Sequence, residues 1–277
     1  MSVVFDLYVP GSSWFHRLDP RVKLWAVALG SALAFLMPEI APQVLMLLAV
    51  HGLLLGARVP WRSLRWLWRQ MMMLIVLILL LQPFFYPAGA TLFAVGPLRL
   101  TVGGITLALE LALRAVNIAF IIGGLLFTTE QRALVQAFVR IGLPYHWGLT
   151  LSLTLRFLPA IQDLFVAVRE AQAARGWVAE GSFIKRLRDH LPVLIAVVIG
   201  TLRLSDQLTL ALAARGLGAS ANPTTRTTWH PLRMRRSDWI ALAGITIIFI
   251  GLLMWKYTQL LPIPSYVILP PQSNRHL

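Results

Sequence analysis

Between Val102 and Thr128 the chain runs past the roughly 20 apolar residues needed to cross a bilayer with only two ionisable side chains, Glu110 and Arg114. Lipid offers no partners for backbone N–H and C=O groups, so a run of this kind has one stable form, a helix that satisfies them internally. Further apolar runs at 24–37, 41–57, 71–85 and 239–261 extend the pattern to about five predicted spans. Several are shorter than a full crossing, so flanking residues such as Lys23 must snorkel toward the headgroups. Composition agrees. The chain is 57% hydrophobic and 13% charged, whereas soluble domains carry about 25% charged residues. The surplus apolar surface has to face lipid, and disorder, which requires low hydrophobicity, is excluded. The predicted fold class is an all-α, polytopic helical membrane protein with a cytoplasmic region of amphipathic helices.

The 25 Lys and Arg against 11 Asp and Glu give a formal net charge of +14. In a membrane protein such an excess first marks cytoplasmic loops, and no nucleic acid is expected as a partner. Arg58, Arg62, Arg65 and Arg69, with no acid among them, place the connection between the second and third spans inside. The N-terminus, with Arg17, Arg21 and Lys23, is then also inside, and the connections at 38–42 and 86–101 are outside, with Arg99 as their only base. Residues 130–238 hold 14 Lys and Arg and 7 Asp and Glu and read as cytoplasmic. The expected organisation is 1–129 as four spans, 130–238 as cytoplasmic helices, and 239–277 as a last span with an external tail. This is a multi-pass protein of the cell membrane. Asp6, Pro10, Gly11, His16, Arg17 and Asp19 precede any sustained apolar run, unlike a secretory signal, so the mature chain is expected to begin at Met1.

Chemistry is sparse. Cysteine is absent, which removes disulfides, thiolate metal sites and cysteine nucleophiles. No Gly-rich loop followed by Lys and Ser/Thr is present to cradle a phosphate, and the six histidines have no metal-ligand spacing. No cofactor and no metal are expected. His51, within a span, reads as a satisfied packing residue. Glu110 and Arg114, one turn before Asn117, admit two readings. They are either a polar site inside the membrane, as ionisable residues there often are, or an i,i+4 pair that neutralises itself. The first would suit a membrane-embedded enzyme or a self-sufficient permease. The stretch around Pro87, Gly89, Gly96 and Pro97 alternates enough at Thr91–Val95 and 98–102 for a short hairpin.

The informative part lies in 130–238. Two short apolar stretches, 147–160 and 191–202, read as buried or interfacial helices that continue into charged helical sequence. Leu164, Phe165, Val168 and Ala171 recur at helical spacing before Ala173-Ala174-Arg175-Gly176. Leu204, Leu208, Ala211 and Leu212 do the same before Ala213-Ala214-Arg215-Gly216. The same tetrapeptide closes both helices. Glycine can take the left-handed conformation that ends a helix, arginine suits the negative end of the helix dipole, and alanine leaves little bulk. Each arginine can then reach a carboxylate or carbonyl on a partner.

The sequence resembles the transmembrane T component of energy-coupling factor (ECF) transporters, relatives of ABC importers that take up vitamins and metal ions. The resemblance rests on Tyr8-Val9-Pro10-Gly11-Ser12-Ser13, His16-Arg17-Leu18-Asp19-Pro20-Arg21-Val22-Lys23, Leu155-Arg156-Phe157-Leu158-Pro159 and the two Ala-Arg-Gly ends. It implies a non-catalytic scaffold that links two cytoplasmic ATPases to a small membrane substrate-binding subunit. It also implies that the two helices are coupling helices, with Ala174, Arg175, Gly176, Ala214, Arg215 and Gly216 contacting the ATPases. Arg156 and Pro159 match a family motif and are expected to start the first long helix. Leu202-Arg203-Leu204 carries one basic residue where many relatives have two.

Overall fold

The computed structural model describes residues 8–11, 13–86, 89–95, 98–176, 190–216 and 234–260. Among them the chain forms α1 (Trp14–Arg17), α2 (Pro20–Leu36), α3 (Ile40–Gly56), α4 (Trp61–Phe85), β1 (Thr91–Val95), β2 (Leu98–Thr101), α5 (Val102–Thr128), α6 (Gln131–Ile141), α7 (Tyr145–Ala174), α8 (Leu191–Ala214) and α9 (Arg236–Leu260). The fold is all-α and polytopic, as expected. The strands form the short antiparallel hairpin read from the alternation, with Thr91 opposite Thr101 and Val95 opposite Leu98.

Among the described residues five helices are long and apolar enough to cross a membrane: α4, α5, α7, α8 and residues 236–258 of α9. The number matches the expectation, but two of the five are different helices. α2 and α3 have 17 residues each. The stretches 147–160 and 191–202, expected as buried or interfacial helices that continue into charged helical sequence, do continue into it, within helices of 30 and 24 residues. Neither is buried along its length: Leu151, Leu158, Leu194, Ile195, Ile199 and Leu202 are exposed. Arg156 and Pro159 do not start α7 either. Its first residue is Tyr145, so both lie mid-helix, where the proline lacks the N–H for one backbone bond. α4 likewise begins at Trp61 behind Pro60, which puts Arg62, Arg65 and Arg69 on its first turns rather than in a loop.

The chain divides into two compact units, residues 1–21 with 126–233 and residues 22–125 with 234–277. In the second, a stripe on α5 at four-residue spacing, Ala108, Ala112, Val116 and Phe120, is buried. Small residues let helices approach: a Cβ on Gly124 would stand 2.8 Å from Leu54 Cδ2, and one on Gly104 would stand 2.6 Å from the Pro83 carbonyl oxygen. In the first unit Val9 N–H donates to the Phe127 carbonyl at 2.9 Å. His16 Nε2–H donates to Val9 O at 3.1 Å while its Nδ1 accepts from Ser13 Oγ at 2.7 Å, so the N-terminal signature folds on itself beside the end of α5. α7 packs on both α6 and α8.

Candidate functional site

Two polar residues of the long α5 span, Arg114 and Asn117, are engaged at the end of another helix. α2 stops at Leu36, and a helix end leaves its last four carbonyls without intrahelical donors, a costly condition away from water. Side chains from other helices supply those donors. Gln43 Nε2 donates to Ala34 O at 2.7 Å and Met37 O at 2.8 Å, and Arg114 Nε donates to Ala34 O at 3.2 Å. Lys256 Nζ donates to Leu36 O and stands 3.6 Å from Glu39. Cations at a helix C-terminus also meet the negative end of its dipole. Asn117 Nδ2 closes the cluster by donating to Gln43 O at 2.9 Å and Gln43 Oε1 at 2.7 Å. Gln43 and Asn117 are 1% and 0% exposed.

The i,i+4 pair of Glu110 and Arg114 does not form. No ion pair among the described residues joins them. Arg114 instead caps α2 and lies over the Phe35 ring at 5.5 Å. His51 is the packing residue expected of it. Its Nδ1–H donates to Leu47 O at 2.9 Å, its Nε2 accepts from Trp68 Nε1 at 3.1 Å, and Phe120 lies 4.4 Å from its ring. The carbonyl partner fixes the neutral tautomer.

The repeated tetrapeptides behave differently. Arg175 closes α7 with φ −85° and ψ 11°, and Arg215 closes α8 with φ −86° and ψ 3°. Gly176 and Gly216 follow at φ +83° and +74°. In each, the arginine N–H bonds the carbonyl three residues back, Arg175 to Gln172 at 3.0 Å and Arg215 to Leu212 at 3.1 Å. Each glycine does likewise, Gly176 to Ala173 at 3.0 Å and Gly216 to Ala213 at 2.9 Å. The same four residues therefore build the same turn twice. A Cβ on either glycine would touch nothing within 4 Å, so the glycine is required by its positive φ alone. Ala174, Arg175, Gly176, Ala214, Arg215 and Gly216 are all exposed.

The likeness extends up both helices at an offset of 40 residues. Ile161, Leu164, Val168 and Gln172 are half-buried on α7, and Thr201, Leu204, Leu208 and Leu212 are half-buried on α8. Leu164 packs against Gly200, where a Cβ would come within 2.8 Å of its Cδ2. Both helices thus present one seam inward and end on one exposed arginine. Sequence reasoning found these ends but missed Gln43 and Lys256 as caps. An isolated amide in the apolar run at 41–57 and a lysine near the end of the last span were the available signals; their targets, the α2 carbonyls, exist only once the helices pack.

Comparison with known proteins identifies the family. The CbiQ family profile, described as cobalt transport protein, matches residues 11–225. The energy-coupling factor transporter transmembrane protein EcfT of Listeria innocua is 31% identical over 91% of this chain and 97% of its own length. That of Streptococcus equi is 30% identical over 92% and 97%. The chain therefore belongs to the CbiQ/EcfT family, the transmembrane T components of energy-coupling factor transporters.

Proposed function

We propose that this transporter membrane subunit is the non-catalytic scaffold that links two cytoplasmic ATPases to a separate membrane substrate-binding subunit for uptake of a vitamin or metal ion. The observation that carries it is the duplicated helix end: one turn, built twice, with an exposed arginine each time. Two ends built on one turn suit two docked partners. Arginine supplies forked, charge-assisted hydrogen bonds to a carboxylate or to carbonyls, and the flanking Ala174, Gly176, Ala214 and Gly216 keep the approach narrow. An enzyme or permease centred on Glu110 and Arg114 is disfavoured because Arg114 and Asn117 already serve the end of α2.

In this reading residues 1–129 and 239–277 are membrane segments with the N-terminus inside, and 130–238 are coupling helices on the cytoplasmic side. α7 and α8 are long enough to cross. If both crossed in succession, however, Arg175 and Arg215 would emerge on opposite faces, because each closes the C-terminal end of its helix. Partners in one compartment require both ends on one face. The helices therefore lie along the interface, apolar residues toward the bilayer, as amphipathic interfacial helices do. Cysteines introduced at Ser182 and Ser273, both outside the described residues, should react with an impermeant thiol reagent from opposite sides; labelling from the same side would overturn this arrangement.

The decisive test is co-purification and substrate uptake for Arg175→Ala, Arg215→Ala and the double variant. Each single change should weaken one ATPase contact by about 1.5–3 kcal/mol, and the double variant should release the ATPases or uncouple uptake while still inserting. Arg→Lys should restore only part, since it keeps the charge and loses the planar fork. Normal ATPase retention and uptake in the double variant would leave the arginines as helix caps and nothing more.

A further inference from the structure

The two ends share a backbone and a seam but not a charge pattern. At about 100° per residue, the positions twelve, five and one before each arginine form one stripe on the side away from the seam. On α7 that stripe reads Asp163, Glu170 and Ala174; on α8 it reads Arg203, Leu210 and Ala214. All six are exposed, Leu210 to 72%. On the adjoining flank the charges differ again: Arg169 on α7 corresponds to Thr209 on α8, and Val166 on α7 corresponds to Asp206 on α8. No ion pair among the described residues engages Asp163, Glu170 or Arg203. Equivalent positions on a common frame thus differ in charge, with opposite sign at Asp163 and Arg203, and no ion pair among the described residues neutralises these three side chains.

We propose that the outward stripes fix which ATPase docks at which end, an inference that rests on the reading of the arginine ends as ATPase contacts. The α7 end takes a docking face that is basic opposite Asp163 and Glu170. The α8 end takes one that is acidic opposite Arg203 and apolar opposite Leu210. An ATPase seated at the wrong end would set like charges against each other and bury Leu210 against a charged surface. That repulsion discriminates between partners while the shared arginine contact attracts both. The two ATPases consequently differ in their docking faces and are held in a fixed order.

The chain has no native cysteine, which allows a direct test in the complete complex isolated from the membrane. Ala167→Cys and Gln207→Cys are exposed equivalents on the two helices, and each would carry a thiol-attached photocrosslinker. The captured ATPase is then identified by mass. The expected result is a different ATPase chain at each probe, with a preference of about tenfold or more. The exchange Asp163→Arg, Glu170→Leu, Arg203→Asp and Leu210→Glu should reverse that preference. All four positions are exposed, so an unchanged melting temperature is expected. Equal capture of one ATPase sequence from both ends, or a preference untouched by the exchange, would overturn the inference and leave the docking role standing. Capture of no ATPase at either probe in the inserted complex would remove the docking role itself, and this inference with it.

Discussion

The polar groups at the end of α2 and those at the ends of α7 and α8 meet opposite fates. Around α2, Gln43, Arg114, Asn117 and Lys256 all donate to oxygen atoms within the fold, and the two amides are buried. At α7 and α8, Arg175 and Arg215 stand exposed on turns completed by backbone bonds alone. A polar side chain near lipid is therefore not functional by its presence. What separates the two regions is whether the fold already contains the partner. Where a helix end in an apolar setting lacks backbone donors, side chains supply them. Where the backbone closes its own turn, the side chain remains available to another molecule.

The sharpest way to break this contrast is to remove the buried amide. Gln43→Leu would leave Met37 O without its donor and one Asn117 N–H without its acceptor. At about 1–3 kcal/mol for each group left unpaired, reduced by the partners a membrane reference state also provides, the loss should be about 2–4 kcal/mol. It should appear as earlier thermal unfolding in detergent with ATPase retention unchanged in the folded fraction. Loss of ATPases without loss of stability would show that the α2 cluster belongs to the coupling machinery after all.

The two ends of α7 offer a second, smaller test. Near its start, a Cβ on Gly148 would collide with Val139 Cγ2 on α6, a β-branched neighbour with a stiff χ1. Gly148→Ala should destabilise by about 1–3 kcal/mol, and Val139→Ala should recover part of that in a double variant. Absence of such recovery in unfolding measurements would mean that α6 and α7 do not pack as described. Gly176→Ala and Gly216→Ala should behave differently, since no neighbour is struck. The cost there is about 1–2 kcal/mol of local backbone strain, confined to the last turn, so the melting temperature should barely move while ATPase retention falls. Asparagine, which tolerates positive φ, should restore retention at both positions. Equal tolerance of alanine and asparagine would show that the turn geometry is not what presents the arginines.

Much was settled by the sequence alone, because lipid leaves few choices. A long apolar run can only be a helix. Alternation between turn residues produced the hairpin at Thr91–Thr101, and two copies of Ala-Ala-Arg-Gly marked the two equivalent ends before any geometry was known. These are local properties, carried by periodicity, glycine conformation and hydropathy. Tertiary structure decided what those properties leave open. Hydropathy did not show that α7 and α8 are each long enough to cross a membrane, and the match to a motif misplaced Arg156 and Pro159 at a helix start. Charge spacing offered Glu110 as one partner for Arg114, but the carbonyl of Ala34, eighty residues away in sequence, accepts from it at a helix end. A sequence lists each donor, and only packing shows which acceptors lack one; that is why the ends of α7 and α8 could be read in advance and the cap of α2 could not.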